Sequence, residues 1–329
     1  MSAGEGMLVR CVQLHSGIDP AGNLESVLTG IAEARADGVD LLVFPETTAS
    51  RSDEPGTRLV AERLDEGFVA AVVAATATDR SDGPSGAPDP VGADRGGPAT
   101  GPTVVVGTVE SNPDGPPFNT LVAAQDGQVV AVYRKVHLYD AFSFIESATI
   151  SPGDGILETF QVKGFCIGMV NCYDLRFPEI SRLLADRGVD VLLAPASWVA
   201  GPLKEEHWTT LCRARALENT CYLAAAGQAG GNRIGRSLVV APDGVVHAMA
   251  GPEVTTLTHR LSRAALDRAR QEMPVLAQRR FRVDPELITR TAPAQGTPGP
   301  APVPLPRTAH TPNPVARPAE VVDHTSRRG

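Results

Sequence analysis

The chain of 329 residues has few cysteines, few aromatics and no excess of positive charge. Its five cysteines, Cys11, Cys166, Cys172, Cys212 and Cys221, are odd in number and lack C-x-x-C spacing. That pattern fits neither a disulfide framework nor a zinc site, and it points to a reduced, cytoplasmic protein. A formal net charge of −8 leaves no basic face for nucleic acid or anionic lipid; a mildly acidic surface reads simply as solubility. No window approaches ~18 apolar residues, so no transmembrane helix is expected. Met1–Met7 has no charged segment leading into an apolar run, so no signal peptide is expected either.

Apolar residues make up 42% of the chain, enough for a substantial core. The glycines and prolines are unevenly spread. Asp79–Pro102 holds eleven of them in 24 residues without apolar periodicity, and reads as a long surface loop between two core elements. Thr291–Gly329 holds nine prolines and almost no large apolar residue. Such a segment buries too little surface to offset its ordering entropy, so a disordered tail is expected. The expected organisation is one folded domain over residues 1–290, with a surface insert at 79–102, then a tail over 291–329.

Between these stretches helical and strand patterns alternate. Strands are expected at Leu8–Leu14, Leu41–Phe44, Thr103–Val109, Thr120–Ala124 and Val129–Tyr133. Later ones are expected at Ile156–Val162, Cys166–Val170, Val191–Ala194, Cys221–Ala226, Leu238–Val240 and Val245–Met249. Helices are expected at Leu24–Ala36, Arg58–Ala75, Pro178–Arg187, Glu205–Asn219 and, as the last, Arg263–Glu272. Residues 36–46 and 186–196 echo each other: a helix end, a Gly turn, a buried strand, then a proline. One helix-to-strand unit used twice favours an α/β fold of two similar halves. In such sheets, residues just past the strand C-termini line ligand clefts. Glu46 and the Ala196-Ser197-Trp198 segment fall there.

Three residues offer chemistry. Cys172 stands at a strand-to-turn corner shortly before a helix that opens at Pro178, where a helix N-terminus and cations lower a thiol's pKa. A buried structural cysteine is the commoner arrangement for any single thiol. Glu46 leaves an apolar strand, and desolvation there raises a carboxyl pKa and suits it to take a thiol proton. An ordinary capping acid fits as well. Lys135 ends a strand, where a fixed ammonium beside a thiolate stabilises an oxyanion; a solvated lysine is the ordinary alternative.

Taken together, the motifs resemble the nitrilase superfamily of carbon–nitrogen hydrolases, over roughly Met7 to Val283. Leu42-Val43-Phe44-Pro45-Glu46 resembles the family's first-glutamate motif. Tyr133-Arg134-Lys135-Val136-His137-Leu138 resembles its lysine motif, and Asn171-Cys172-Tyr173-Asp174-Leu175-Arg176-Phe177-Pro178-Glu179 its cysteine motif. They occur in the family's order with comparable spacing. Ile145-Glu146-Ser147 with Ser151-Pro152-Gly153-Asp154 resembles the segment of the second active-site glutamate.

The resemblance implies a four-layer αββα sandwich of the nitrilase type, assembled as a homodimer or larger homo-oligomer. It implies a Glu46–Lys135–Cys172 triad that cleaves small amides through a thioester, with Glu146 positioning substrate or Lys135, a backbone N–H near Tyr173 assisting, and no metal or organic cofactor. His137 is expected to share the strand face of Lys135, with a structural hydrogen bond favoured over catalysis. Tyr139, Phe142, Tyr173, Ser197 and Trp198 are the expected pocket lining. Arg176 either meets a substrate carboxylate or, more ordinarily, sits in a structural ion pair. The compact cysteine motif is closest to the omega-amidase and deaminated glutathione amidase branches. A nitrilase or an N-carbamoyl amino-acid hydrolase is the same-class alternative. An inactive scaffold binding through its Pro-rich tail is the alternative of another class.

Overall fold

The structure, a computed structural model, describes residues 6–54, 57–77, 101–142 and 144–287. The expectations for residues 79–100 of the insert, for the boundary at 290 and for the Pro-rich tail fall outside them.

The first half runs β1 (Gly6–Gln13), α1 (Pro20–Ala36), β2 (Leu41–Val43), α2 (Gly67–Thr76), β3 (Thr103–Glu110), β4 (Phe118–Gln125) and β5 (Gln128–Arg134). α1 starts on a local signal: the Ala21 N–H donates to the Asp19 carboxylate at 3.1 Å, and Pro20 takes the first turn. Gly38, at φ 67°, ends it and turns the chain into the buried run Leu41–Val43. α2 is shorter than the expected Arg58–Ala75. Residues 57–66 are held to β3 through Glu62, whose N–H donates to the Val109 carbonyl at 3.1 Å, and whose carbonyl accepts from Ser111 N–H at 2.8 Å. The Glu62 carboxylate then accepts from the Phe68 N–H at 2.8 Å, fixing the helix start.

A short hairpin follows, β6 (Asp140–Ala141) and β7 (Phe144–Ile145). The second half runs β8 (Thr159–Val162), β9 (Phe165–Met169), α3 (Pro178–Asp186), β10 (Val191–Leu193), α4 (Lys204–Asn219), β11 (Tyr222–Ala225), β12 (Leu238–Val240) and β13 (Val246–Met249). It closes with β14 (Thr255–Ser262), α5 (Arg263–Glu272) and α6 (Val275–Gln278). The sequence expectation lacked β14, the small hairpin and α6.

Two six-stranded sheets form, in the orders β14-β1-β2-β3-β4-β5 and β13-β12-β11-β10-β9-β8. In each, three parallel strands (β1-β2-β3, β9-β10-β11) lie between antiparallel neighbours. The echoed segments take equivalent places: β2 sits between β1 and β3, and β10 between β9 and β11. One core cluster joins the inner faces of the sheets, with Val9, Cys11, Leu41, Val43 and Val105 from one and Ile167, Met169, Val191, Leu193 and Ala224 from the other. It continues through the second sheet to Leu184 of α3 and Trp208, Cys212 and Ala216 of α4. On the far face of the first sheet, Val27 and Ile31 of α1 and Phe68, Val69 and Val72 of α2 pack on Leu42, Val104, Val106 and Val122. The layers are therefore α, β, β, α, the sandwich the resemblance implies. Among the described residues, no helix is long and apolar enough to cross a membrane.

Candidate active site

The parallel strands deliver chemistry at one end of the sandwich, as their geometry predicts. Three residues beyond β2 stands Glu46, only 3% exposed. Its backbone passes so close to β3 that a side chain at Gly107 would put a Cβ 2.5 Å from the Pro45 carbonyl oxygen and from the Thr47 nitrogen. Only glycine leaves room there. Directly after β5 comes Lys135, whose N–H donates to the Asn119 carbonyl at 2.8 Å. Cys172 opens a tight turn beyond β9 in a left-handed conformation (φ 51°), and its N–H donates to the Pro195 carbonyl at 2.9 Å. A non-glycine residue held there is strained, and such strain persists where the surroundings fix it.

These side chains converge. Lys135 Nζ donates to Glu46 Oε1 at 2.8 Å and to Glu146 Oε1 and Oε2 at 3.1 and 2.9 Å. The Cys172 thiol lies in the same buried group beside Glu46, whose Oε2 accepts from the Ser197 N–H at 2.7 Å. Glu146 is fixed by the hairpin, its Oε2 accepting from the Tyr139 N–H at 2.6 Å. Both glutamates, Lys135 and Cys172 are buried.

Electrostatics departs from the sequence expectation in two places. Burial alone raises the Glu46 carboxyl, as expected, yet the Lys135 ammonium and the hydrogen bonds to it outweigh burial, and the group lies below 4.5. The Cys172 thiol is not lowered. Burial, then the adjacent Glu46 carboxylate, push it well above 9.0, and Lys135 only partly offsets them. Lys135 itself is raised well above 10.5: burial lowers it, but Glu146 and Glu46 outweigh that. The resting site is a carboxylate, an ammonium and a neutral thiol.

Several residues that hold this group carried no clear sequence signal. Asn119 on β4 donates through Nδ2 to Glu46 Oε1 at 2.8 Å and to Glu146 Oε1 at 3.0 Å, and its Oδ1 accepts from Asn171 Nδ2 at 2.9 Å. Asp174 joins the cysteine turn to the end of β5. Its Oδ2 accepts from the Tyr133 hydroxyl at 2.7 Å and the Asn171 N–H at 3.1 Å, and its Oδ1 accepts from the His137 N–H at 3.0 Å. Gln228 Nε2 donates to the Glu46 carbonyl at 3.1 Å. His137 is not on a strand, since β5 ends at Arg134; its Nδ1 lies 2.8 Å from Asp174 Oδ1 and its ring stacks on Phe177, the structural role favoured for it.

Above the cluster opens a cavity of about 770 Å³. Tyr139, Phe142, Tyr173, Arg176, Ser197 and Trp198 all line it together with Glu46, Lys135, Glu146 and Cys172. The ordinary expectation for Arg176, a structural ion pair, is not met. Its guanidinium lies over the rings of Trp198 (5.0 Å) and Tyr173 (5.8 Å), and its buried Nε and Nη2 have no hydrogen-bond partner among the described residues. The sequence reading also passed over four cations of the wall, Arg51, Arg58, Lys204 and Arg233.

Residues 99–271 match the carbon–nitrogen hydrolase family. A hydrolase of Mycobacterium tuberculosis is 38% identical over 287 residues, covering 82% of this chain and 94% of its own. The deaminated glutathione amidase of Escherichia coli O157:H7 is 43% identical over 186 residues, 56% of this chain and 70% of its own. Among solved structures, a CN-hydrolase superfamily protein of Xanthomonas campestris, with an arsenic adduct in its active site, superposes with a TM-score of 0.69 at 26% identity. That likeness covers 84% of this chain and 98% of that one. The chain belongs to the carbon–nitrogen hydrolase family, within the nitrilase superfamily, and is an amidase-type enzyme acting on carbon–nitrogen bonds other than peptide bonds.

Proposed function

We propose that the protein hydrolyses small linear amides through a thioester on Cys172, releasing ammonia or an amine. The observation that carries this reading is that Cys172, Glu46, Lys135 and Glu146 are all buried at one cavity, with Lys135 Nζ hydrogen-bonded to both carboxylates. Glu46 Oε1 already accepts from Lys135 and Asn119, so the thiol proton goes to Oε2. As it leaves, Cys172 Sγ attacks the amide carbon. Charge moves onto the amide oxygen, held by Lys135 Nζ and a backbone N–H near Tyr173. Two of the three Lys135 donors point at Glu146, so one can turn to the oxyanion while Glu146 keeps the other. Glu46 then gives its proton to the leaving nitrogen, the C–N bond breaks, and the acyl group stays on sulfur. A water deprotonated by Glu46 opens the thioester and restores the thiol.

The deaminated glutathione amidase relative supports an acyl amide as substrate in preference to a nitrile or a carbamoyl amino acid. Tyr139, Phe142, Tyr173, Arg176, Ser197 and Trp198 are the residues that would contact it. The same reading takes the protein as a cytoplasmic homodimer or larger homo-oligomer, which light scattering checks directly. The central test is ammonia release from a panel of ω-amides, deaminated glutathione, carbamoyl amino acids and nitriles, with mass spectrometry of the protein during turnover. Wild type should carry an acyl adduct on Cys172, and Cys172→Ala should carry none and release no ammonia. Unchanged ammonia release by Cys172→Ala would overturn the reading. Lys135→Ala should lose ~10²–10³ in kcat, the worth of one oxyanion donor.

A further inference from the structure

The two groups that must meet at the amide, the Cys172 sulfur and the Lys135 ammonium, hang from different sheets. Cys172 follows β9 of the second sheet, and Lys135 follows β5, the edge strand of the first. β5 is hydrogen-bonded to β4 alone, and its pairing ends at Arg134. Beyond it, the Lys135 N–H donates to the Asn119 carbonyl and the Lys135 carbonyl accepts from the Gly153 N–H, both at 2.8 Å. The Lys135 ammonium is held by Glu46 and Glu146. All four partners precede β8, so none of these contacts refers the lysine directly to the cysteine turn.

One carboxylate supplies that reference. Asp174, two residues past Cys172, takes donors from both flanks of Lys135. Its Oδ2 accepts from the Tyr133 hydroxyl at 2.7 Å, and its Oδ1 from the His137 N–H at 3.0 Å and from His137 Nδ1 at 2.8 Å. The same Oδ2 accepts from the N–H of Asn171, the residue before Cys172, at 3.1 Å. The chain on either side of the lysine and on either side of the nucleophile therefore closes on a single group. Asp174 is fully buried, and among the described residues its one ion-pair partner is His137. A buried carboxylate with so little countercharge is costly unless hydrogen bonds replace its water, and these four donors do so. Facing an acceptor, His137 Nδ1 must donate. The stack of its ring on Phe177, 3.7 Å between centres and 5° between planes, fixes that nitrogen's aim. Burial, then the Asp174 charge, hold the Tyr133 phenol well above 10.0, so it too stays a donor.

We infer that Asp174 is a positioning residue that sets the Lys135 ammonium against the Cys172 sulfur, acting through Tyr133 and His137. The inference rests on the catalytic reading above, and adds how a lysine carried by one sheet is aimed at a nucleophile carried by the other. Asp174 does not line the cavity, so its effect travels through the backbone on the two sides of Lys135. A shift of ~1 Å at a reacting group can cost ~10² in rate. The ammonium also favours the thiolate over the thiol, so the same shift makes Cys172 harder to ionise.

Coupling to Lys135 separates positioning from mere support of the fold. Tyr133→Phe deletes one donor and keeps the ring; it should lower kcat about tenfold with little change in KM, the worth of one hydrogen bond to a charged group. Asp174→Asn should lower kcat about a hundredfold; should that variant not fold, Tyr133→Phe decides alone. His137→Leu should lose about tenfold, and His137→Asn, which places an N–H where Nδ1 stood, should recover most of it. In the Lys135→Ala background, Tyr133→Phe should cost less than about twofold more, because the group it helps to place is gone. Alkylation of Cys172 by iodoacetamide gives the same cycle without substrate: Tyr133→Phe should slow it severalfold when Lys135 is present and leave it unmoved in Lys135→Ala. Wild-type kcat and alkylation in Tyr133→Phe, or losses undiminished in Lys135→Ala, overturn the inference. Failure of the wild type to release ammonia from any amide would sink the catalytic reading instead, and the alkylation cycle would still decide whether Asp174 places Lys135 beside Cys172.

Discussion

Glu46 uses its two oxygens for different jobs. Oε1 takes the Lys135 and Asn119 donors, and Oε2 takes the Ser197 N–H and keeps acceptor capacity for the thiol proton. Asn119 is thus a positioning residue: it aims the carboxylate and also touches Glu146. Asn119→Leu should lower kcat by about tenfold, the worth of one buried hydrogen bond to a charged group, with little change in KM. A loss confined to KM would count against it. The charge states also fix a pH profile. Because Lys135 holds Glu46 below 4.5, activity stays on while that carboxylate is ionised and falls as pH drops through its depressed pKa. The acid limb of kcat/KM should therefore lie below pH 4.5. The thiol, pushed well above 9.0, should show no inflection near its usual value when iodoacetamide alkylation of Cys172 is followed by peptide mass from pH 6 to 10. A midpoint below about pH 7 would mean a resting thiolate and a different mechanism.

The elements that carry these residues were unequally legible. The helix end, glycine turn and buried run before Glu46, and their echo before Ala196, are local signals, and both became central strands. β14 was missed because its eight residues, Thr255–Ser262, are mostly polar and exposed, and it exists through pairing with β1 nearly 250 residues away. The helix expected at Arg58–Ala75 ran too long because the tie of Glu62 to β3 is a tertiary fact. In the site, the charged residues stood out by type and order. Asn119 and Asp174 look like ordinary polar residues until the fold brings their partners 73 and 41 positions away into contact. The direction of the Glu46 shift needed Lys135, 89 residues on. Gly107 links element to site. Gly107→Ala would press a methyl into the Pro45–Thr47 backbone, which has no side-chain freedom to yield. It should cost about 2 kcal/mol or more, lower Tm by ~4–8 °C, and reduce kcat by displacing Glu46. Calorimetry and ammonia release check both, and a variant with wild-type Tm would show that β2 and β3 can part without cost.

At the scale of the whole molecule, the two sheets must stay in register for their loops to meet, and Asp190 is one place where they are tied. It stands at the entry to β10 in the second sheet, only 6% exposed, and accepts from the Cys166 N–H of β9 at 2.9 Å. Its other partners belong to α5: Arg263 at 2.8 Å and Arg270 at 2.7 Å. α5 follows β14 directly, and β14 pairs with β1 in the first sheet. One carboxylate thus anchors the C-terminal helix of one sheet onto the strands of the other. Burial raises its pKa, but the hydrogen bond from Arg263, the Cys166 N–H and the charges of both arginines outweigh that, so it lies below 3.8 when folded. A carboxyl depressed in this way stabilises the fold fully above its unfolded value of 3.8 and loses that contribution as pH falls through the lower folded value. Asp190→Asn keeps the shape and removes the charge. It should cost about 2 kcal/mol at pH 7, tempered by the partial exposure of both arginines. The gap in Tm between wild type and variant should hold from pH 7 to pH 5 and close as pH falls below 3.8. Scanning calorimetry across that range tests it; a gap that persists at pH 3 would mean that Asp190 acts through packing and hydrogen-bond geometry, not through its charge.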